Sequence, residues 1–141
     1  MTIALFDTNI IIDSFAGHDA ATAELSNYSD AAISSVSWME VACKLGTMEQ
    51  LQFQALLDGI GIKIIHINDA IMKRATILRG DSIANPPKIQ LLDCIIRATA
   101  EVEGRLLVTR NPRDFGRTSA AVRVPYDIVN GVAVNIRPSP P

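Results

Sequence analysis

Histidine, cysteine and aromatic residues are scarce in this 141-residue chain, and its first 60 positions hold a single basic residue. His18 and His66 fall in a loop-like and a strand-like stretch, so neither a histidine-based catalytic triad nor a histidine metal site has the groups it needs. Cys43 and Cys94 have no partner at metal-ligand spacing. Both sit in helix-like apolar surroundings and are expected to be buried thiols in a reducing, cytoplasmic setting. No apolar run approaches the ~20 residues that cross a bilayer, which argues against a membrane role. The N-terminal apolar run has no basic segment before it and is interrupted by Asp7 and Asp13, which argues against a signal peptide. Nor is there the excess of charge that disorder requires, because 48% of the residues are hydrophobic and only 20% charged.

What is present is an uneven charge distribution. Residues 1–60 carry Lys44 against eight acids, whereas residues 61–141 carry twelve basic residues against seven acids. The net charge of −2 does not by itself favour nucleic acid, but this asymmetry permits a negative pocket beside a positive surface. Scattered solvated charges would give the same count.

The hydrophobic pattern alternates short apolar runs with amphipathic stretches. Strands are expected at Ile3–Phe6, Ala31–Ser34, Ile62–Ile67, Arg105–Val108 and Val122–Val124. Between them the spacing predicts a helix from Thr8, as its cap, to about Ile12, and further helices over Ala20–Asn27, Trp38–Leu45 and Met48–Asp58. Asn68 is placed to cap a helix over Asp69–Leu78. A polar loop is expected over Arg79–Gln90, followed by the strongest helix, Leu91–Glu103, with Leu92, Ile95, Ile96, Thr99 and Val102 as its buried stripe. Beyond residue 124 the chain reads as loop. A single domain is expected over residues 1–137, with 138–141 a disordered proline-rich tail. The alternation indicates a parallel α/β sandwich, in which ligands bind at the carboxyl ends of the strands.

Polar clusters fall at those ends: Asp7-Thr8-Asn9, Ser34 to Glu40, and Thr109 to Asp114. A further carboxylate, Asp93, stands in the first turn of the strong helix. Two carboxylates ~4 Å apart repel by about 4 kcal/mol at an effective dielectric of 20, so convergence of these groups demands protonation or a bound cation. Oxygen-only donors favour Mg²⁺ or Mn²⁺ over zinc. Each group also has a plainer reading. Asp93 can complement the helix dipole and pair with Arg97, Asn111-Pro112-Arg113-Asp114 matches a capped short helix, and Glu40 can be a solvated helix residue. Asp7 is the hardest to explain so, because Thr8 or Asn9 would cap equally well.

With Phe6-Asp7-Thr8-Asn9, Ser37-Trp38-Met39-Glu40-Val41, Leu92-Asp93-Cys94-Ile95-Ile96-Arg97-Ala98-Thr99-Ala100 and Leu107-Val108-Thr109-Arg110-Asn111-Pro112-Arg113-Asp114-Phe115, the chain resembles the PIN-domain family, and within it the VapC-type toxins of bacterial type II toxin–antitoxin pairs. The four pieces, in this order, span most of the chain as far as Phe115. The resemblance implies a PIN-like three-layer sandwich around a central, mostly parallel sheet of four to five short strands. It implies Asp7, Glu40, Asp93 and Asp114 as the acidic metal-binding and catalytic set, with Thr8, Asn9, Thr109 and Asn111 in support. It further implies an endoribonuclease using Mg²⁺ or Mn²⁺, a homodimer, and silencing by an antitoxin protein. Asn111 departs from the commonest pattern, where many relatives carry another acid. An acidic pocket cannot attract RNA, so basic residues must meet its phosphates, and Lys88, Arg97, Arg110 and Arg113 are nearest in sequence. Two rival readings are a haloacid-dehalogenase-like phosphotransferase and a catalytically silent module that keeps the fold and holds a partner. The first also places an Asp after strand one but wants a second Asp where Asn9 stands.

Overall fold

The computed structural model describes residues 3–138. Its organising element is the strand β1 (Ile3–Phe6), whose Ala4, Leu5 and Phe6 are fully buried. Alternate side chains enter two separate cores. Ala4 and Phe6 pack on one face of the sheet, and Leu5 packs on the other. That is why the run is apolar without alternation: both faces are covered.

The remaining elements follow in order: α1 (Thr8–Phe15), α2 (Asp19–Leu25), β2 (Asp30–Ser34), α3 (Ser35–Ala42), α4 (Thr47–Ile60), β3 (Ile62–Ile65), α5 (Asp69–Ala84), α6 (Leu91–Glu103), β4 (Leu106–Val108), a 3-10 turn (Pro112–Phe115), and β5 (Val122–Arg123). All five strands are parallel, in the order β3-β2-β1-β4-β5. Residues of α1, α2, α3 and α4 pack with Phe6, Ile33 and Val108 on one face. On the other, α6 packs against Leu5, Ala32 and Leu107, and α5 packs against Cys94 and Ala98 of α6 and Ile65 of β3. The result is the expected three-layer sandwich. The chain runs from β1 to β2 and β3 in one direction, then returns to β4 on the opposite side of β1. The strand order therefore reverses at β1–β4, where an open parallel sheet leaves a crevice at its carboxyl edge.

Several sequence expectations need correction. Asp7, not Thr8, occupies the N-cap of α1, accepting the Thr8 N–H on Oδ1 at 2.7 Å, and the helix continues to Phe15. Helix α3 starts three residues early because the Ser34 hydroxyl accepts the Val36 N–H. Asn68 caps α5 through the Ile71 N–H as expected, but the helix runs on to Ala84. A mid-helix Gly80 costs only about 1 kcal/mol, and Leu78 and Ser82 are buried on either side of it. Helix α6 has the expected bounds, and Ile96 and Thr99 of the expected stripe are buried with Ile95 packed beside them, but the inner face is shifted. Cys94, Ile96, Arg97, Ala98, Thr99 and Ala100 are buried, while Leu92 and Val102 are exposed. Cys94 is buried and Cys43 exposed. The stretch read as loop after residue 124 contains an antiparallel pair, β6 (Asp127–Val129) and β7 (Val132–Val134). Of the tail expected over 138–141, residues 139–141 lie outside the described residues.

Candidate active site

The parallel register brings distant polar residues to one edge. Phe6 pairs with Ile33 on β2 and with Val108 on β4, so Asp7, Ser34 and Thr109 leave the sheet side by side. The Asp7 N–H donates to the Val108 carbonyl at 2.8 Å, extending the ladder by one bond. The Thr109 hydroxyl donates to Asp7 Oδ2 at 2.8 Å, and itself accepts the Asn111 N–H at 3.0 Å and the Asn9 amide at 3.5 Å. Asn9 Oδ1 in turn accepts the Arg110 N–H. Asp7 is thus held on both oxygens, by Thr8 N–H and by Thr109.

Glu40 reaches the same edge from α3. The Thr8 hydroxyl donates to Glu40 Oε1 at 2.8 Å and lies 2.9 Å from the fully buried Ser37 hydroxyl. Ser37 and Glu40 lie three residues apart and so on one side of the helix, which lets a single threonine bridge the first turn of α1 and α3. Asp93, in the first turn of α6, has no hydrogen bond or ion pair among the described residues. Arg97, its expected partner, turns instead to Glu101 at 3.4 Å and to the Phe115 carbonyl at 2.9 Å. Asp114 is carried by the 3-10 turn and is exposed.

Electrostatics link the four acids. Burial raises the Asp7 carboxyl from 3.8 to about 6, against the Thr109 and Thr8 hydrogen bonds, and the charges of Asp114 and Glu40 raise it further. Burial also raises Asp93 to about 6, assisted by Asp7, Asp114 and Glu40. The four carboxylates therefore form one anionic cluster. Among the described residues no three Asp, Glu, His or Cys side chains stand close enough to hold a metal ion by themselves.

Of the supporting residues, Thr8, Asn9 and Thr109 join the hydrogen-bond network, whereas exposed Asn111 contributes its backbone N–H. The four basic residues divide. Arg110 is fixed to buried Asp13 by two bonds at 2.5 and 3.1 Å, and Asp13 also accepts the Tyr126 hydroxyl at 2.7 Å. Arg97 is only 8% exposed and committed as described. Lys88 and Arg113 are exposed and line a groove of about 700 Å³, together with Asp93, Asp114 and Arg117. Ser37 lies in the expected polar cluster without an assigned role, and Arg117 was not anticipated. Ser37 precedes Glu40 by one turn; Arg117 repeats the basic residue of Arg113 across Gly116.

The PIN domain model matches residues 4–121. No curated protein matches the chain. Among solved structures, the chain is similar to one in a toxin–antitoxin complex from Klebsiella pneumoniae, at 36% identity and a TM-score of 0.71, spanning 89% of this chain and 99% of that one. Two further likenesses concern the fold alone. VapBC2 from Rickettsia felis, bound to a DNA fragment from its promoter, matches at 24% identity and a TM-score of 0.69, over 86% of this chain and 98% of that one. VapBC-1 from nontypeable Haemophilus influenzae matches at 19% and 0.74, over 86% and 97%. The chain belongs to the PIN domain family, and the solved structures it resembles include VapBC toxin–antitoxin complexes.

Proposed function

We propose that this protein is a divalent-metal-dependent endoribonuclease and the toxin of a toxin–antitoxin pair, acting in the cytoplasm as a homodimer. The observation that carries the reading is the cluster of Asp7, Glu40, Asp93 and Asp114, in which burial and the neighbouring acids push the Asp7 and Asp93 carboxyls to about 6. Asp7 and Asp93 are the first candidates to hold Mg²⁺ or Mn²⁺, with Glu40 and Asp114 beside them. Bound there, the metal would supply Lewis acidity toward a phosphate oxygen and acidify an attacking water. The chain's own part is positional. Thr109 and the Thr8 N–H fix the Asp7 carboxylate, and Thr8 fixes Glu40, leaving that residue's second oxygen to accept a proton. The likeness to the Klebsiella chain supports a cognate antitoxin as partner. The phosphotransferase alternative wants a second Asp at position 9, where Asn9 stands with its side chain turned to Thr109 and Arg110.

The decisive measurement is cleavage of structured RNA with Mg²⁺ or Mn²⁺ by wild type and by Asp7→Asn. Wild-type cleavage abolished by chelator, and at least ~100-fold lower activity in the variant, are expected. Equal activity in both, or cleavage in excess chelator, refutes the reading.

A further inference from the structure

The chain uses nearly all of its arginines to hold itself together. Arg74 and Arg97 pair with Glu101, Arg105 with Asp30, Arg110 with Asp13, Arg123 with Glu24 and Arg137 with Asp127. Arg79 donates to the Ile89 carbonyl at 2.6 Å. Among the described residues the two arginines whose guanidinium groups have neither an ion pair nor a hydrogen bond are Arg113 and Arg117, and both line the same groove. So does Lys88, which is also unpaired and exposed.

The fold holds these two arginines in place from behind. Arg97 grips the Phe115 carbonyl, and Glu101 grips the next loop through the Thr118 hydroxyl, the Ser119 N–H and the Ser119 hydroxyl at 2.9–3.1 Å. Gly116, between the two arginines, takes φ +65°, and a Cβ there would stand 2.8 Å from Ile89 Cδ1. The turn that presents the arginines is therefore closely packed against the Lys88-Ile89 segment.

The groove is also one-sided with respect to the acidic cluster. Asp93 and Asp114 belong to its lining; Asp7 and Glu40 do not. It opens off the site on the side of α6 and the 3-10 turn, away from the first 60 residues, where Lys44 is the single cation. Guanidinium groups match phosphate oxygens in geometry as well as charge, and an unpaired pair of them beside a carboxylate cluster has a polyanion as its natural ligand.

We propose that Arg113, Arg117 and Lys88 form a clamp for consecutive backbone phosphates of an RNA strand. The clamp makes the site asymmetric, so that the substrate is held by its backbone on one side of the reacting phosphate. The inference rests on the nuclease reading for its substrate, but its first test does not require cleavage. Binding of a labelled single-stranded RNA oligonucleotide is followed in excess chelator from ~50 to ~200 mM salt, with wild type, Arg113→Gln/Arg117→Gln, and Lys73→Gln as a surface control. Loss of two phosphate contacts is expected to make the salt slope shallower by about 1.4 in the double variant and to leave the control unchanged. An unchanged slope overturns the proposal. So does a double variant that keeps RNA affinity but loses binding to poly-glutamate, since that assigns the arginines to an acidic protein partner. The second arm compares metal-supported cleavage of oligonucleotides carrying neutral methylphosphonates on either side of the cut bond. Neutralisation on one side alone should raise KM, and the double variant should lose that sensitivity; equal effects of both sides overturn the asymmetry. A wild type that binds with the expected slope but never cleaves removes the nuclease reading and leaves the clamp standing.

Discussion

Replacing Asp7 by Asn should stabilise the metal-free protein while disabling it. Asp7 is 7% exposed, and its carboxyl is raised from 3.8 to about 6, chiefly by burial. A carboxyl raised on folding means that the native state binds more protons than the unfolded chain between these values. Stability is therefore lost as pH rises from about 4 to about 6, and stays lost above. The difference corresponds to at most about 3 kcal/mol at pH 7.5. An Asn keeps an oxygen for the Thr8 N–H but replaces the acceptor of the Thr109 hydroxyl, which costs about 1 kcal/mol. The net gain is about 1–2 kcal/mol, or roughly 3–8 °C in Tm for a chain of this size. Thermal unfolding in chelator at pH 7.5 and at pH 4 measures it. The gain should shrink to zero or reverse at pH 4, and added Mg²⁺ should raise the wild-type Tm more than the variant's. An Asp7→Asn protein less stable than wild type at pH 7.5 in chelator, or equally advantaged at both pH values, refutes the electrostatic reasoning.

Three other outcomes are expected. Arg110→Ala leaves the buried Asp13 carboxylate with the Tyr126 hydroxyl as its remaining side-chain partner, and denaturant unfolding should show a loss of about 3–4 kcal/mol. Burial pushes the Glu101 carboxyl up, but the hydrogen bonds from Arg74 and Ser119 and the charge of Arg97 prevail and hold it at about 2. Its contribution is thus present above about 4.5 and lost as pH falls toward 2, so Glu101→Gln should destabilise by roughly 2–3 kcal/mol at pH 7 and far less near pH 2, read from urea midpoints across that range. Gly116→Ala should cost about 1–2 kcal/mol of stability, from its positive φ and the contact with Ile89. It should also weaken RNA binding in chelator, because the same turn presents Arg113 and Arg117.

The sheet was legible because its strands are short apolar runs that end in polar residues, as at Phe6-Asp7 and Val108-Thr109, and a parallel sheet buried on both faces needs just that pattern. The convergence of the acids followed from topology and charge. What escaped was set by tertiary contacts. Periodicity found only part of the inner face of α6, since Arg97 points inward to serve Glu101 and Phe115, and small Ala98 and Ala100 pack against α5 and the sheet, respectively, while Leu92 and Val102 are exposed. Arg97 and Arg110 were candidates for phosphate because the acid that engages Arg110, Asp13, and the carbonyl that receives Arg97, that of Phe115, are brought by other elements. The β6–β7 pair was missed because its strands are three residues each and only partly buried, too short for alternation to register.

The Tyr126 hydroxyl has a bearing on where this protein ends as a folding unit. The family match stops at residue 121, yet Tyr126 is the largest fully buried side chain and touches Asp13, which anchors Arg110 beside the acidic cluster. A chain cut at the family's edge would keep all four acids and still lose the buried ring that packs with Ile10 and Ile11 of α1 and the hydroxyl that holds Asp13. Support for the candidate site therefore reaches past the family match, through a residue that holds Asp13 and, through it, Arg110.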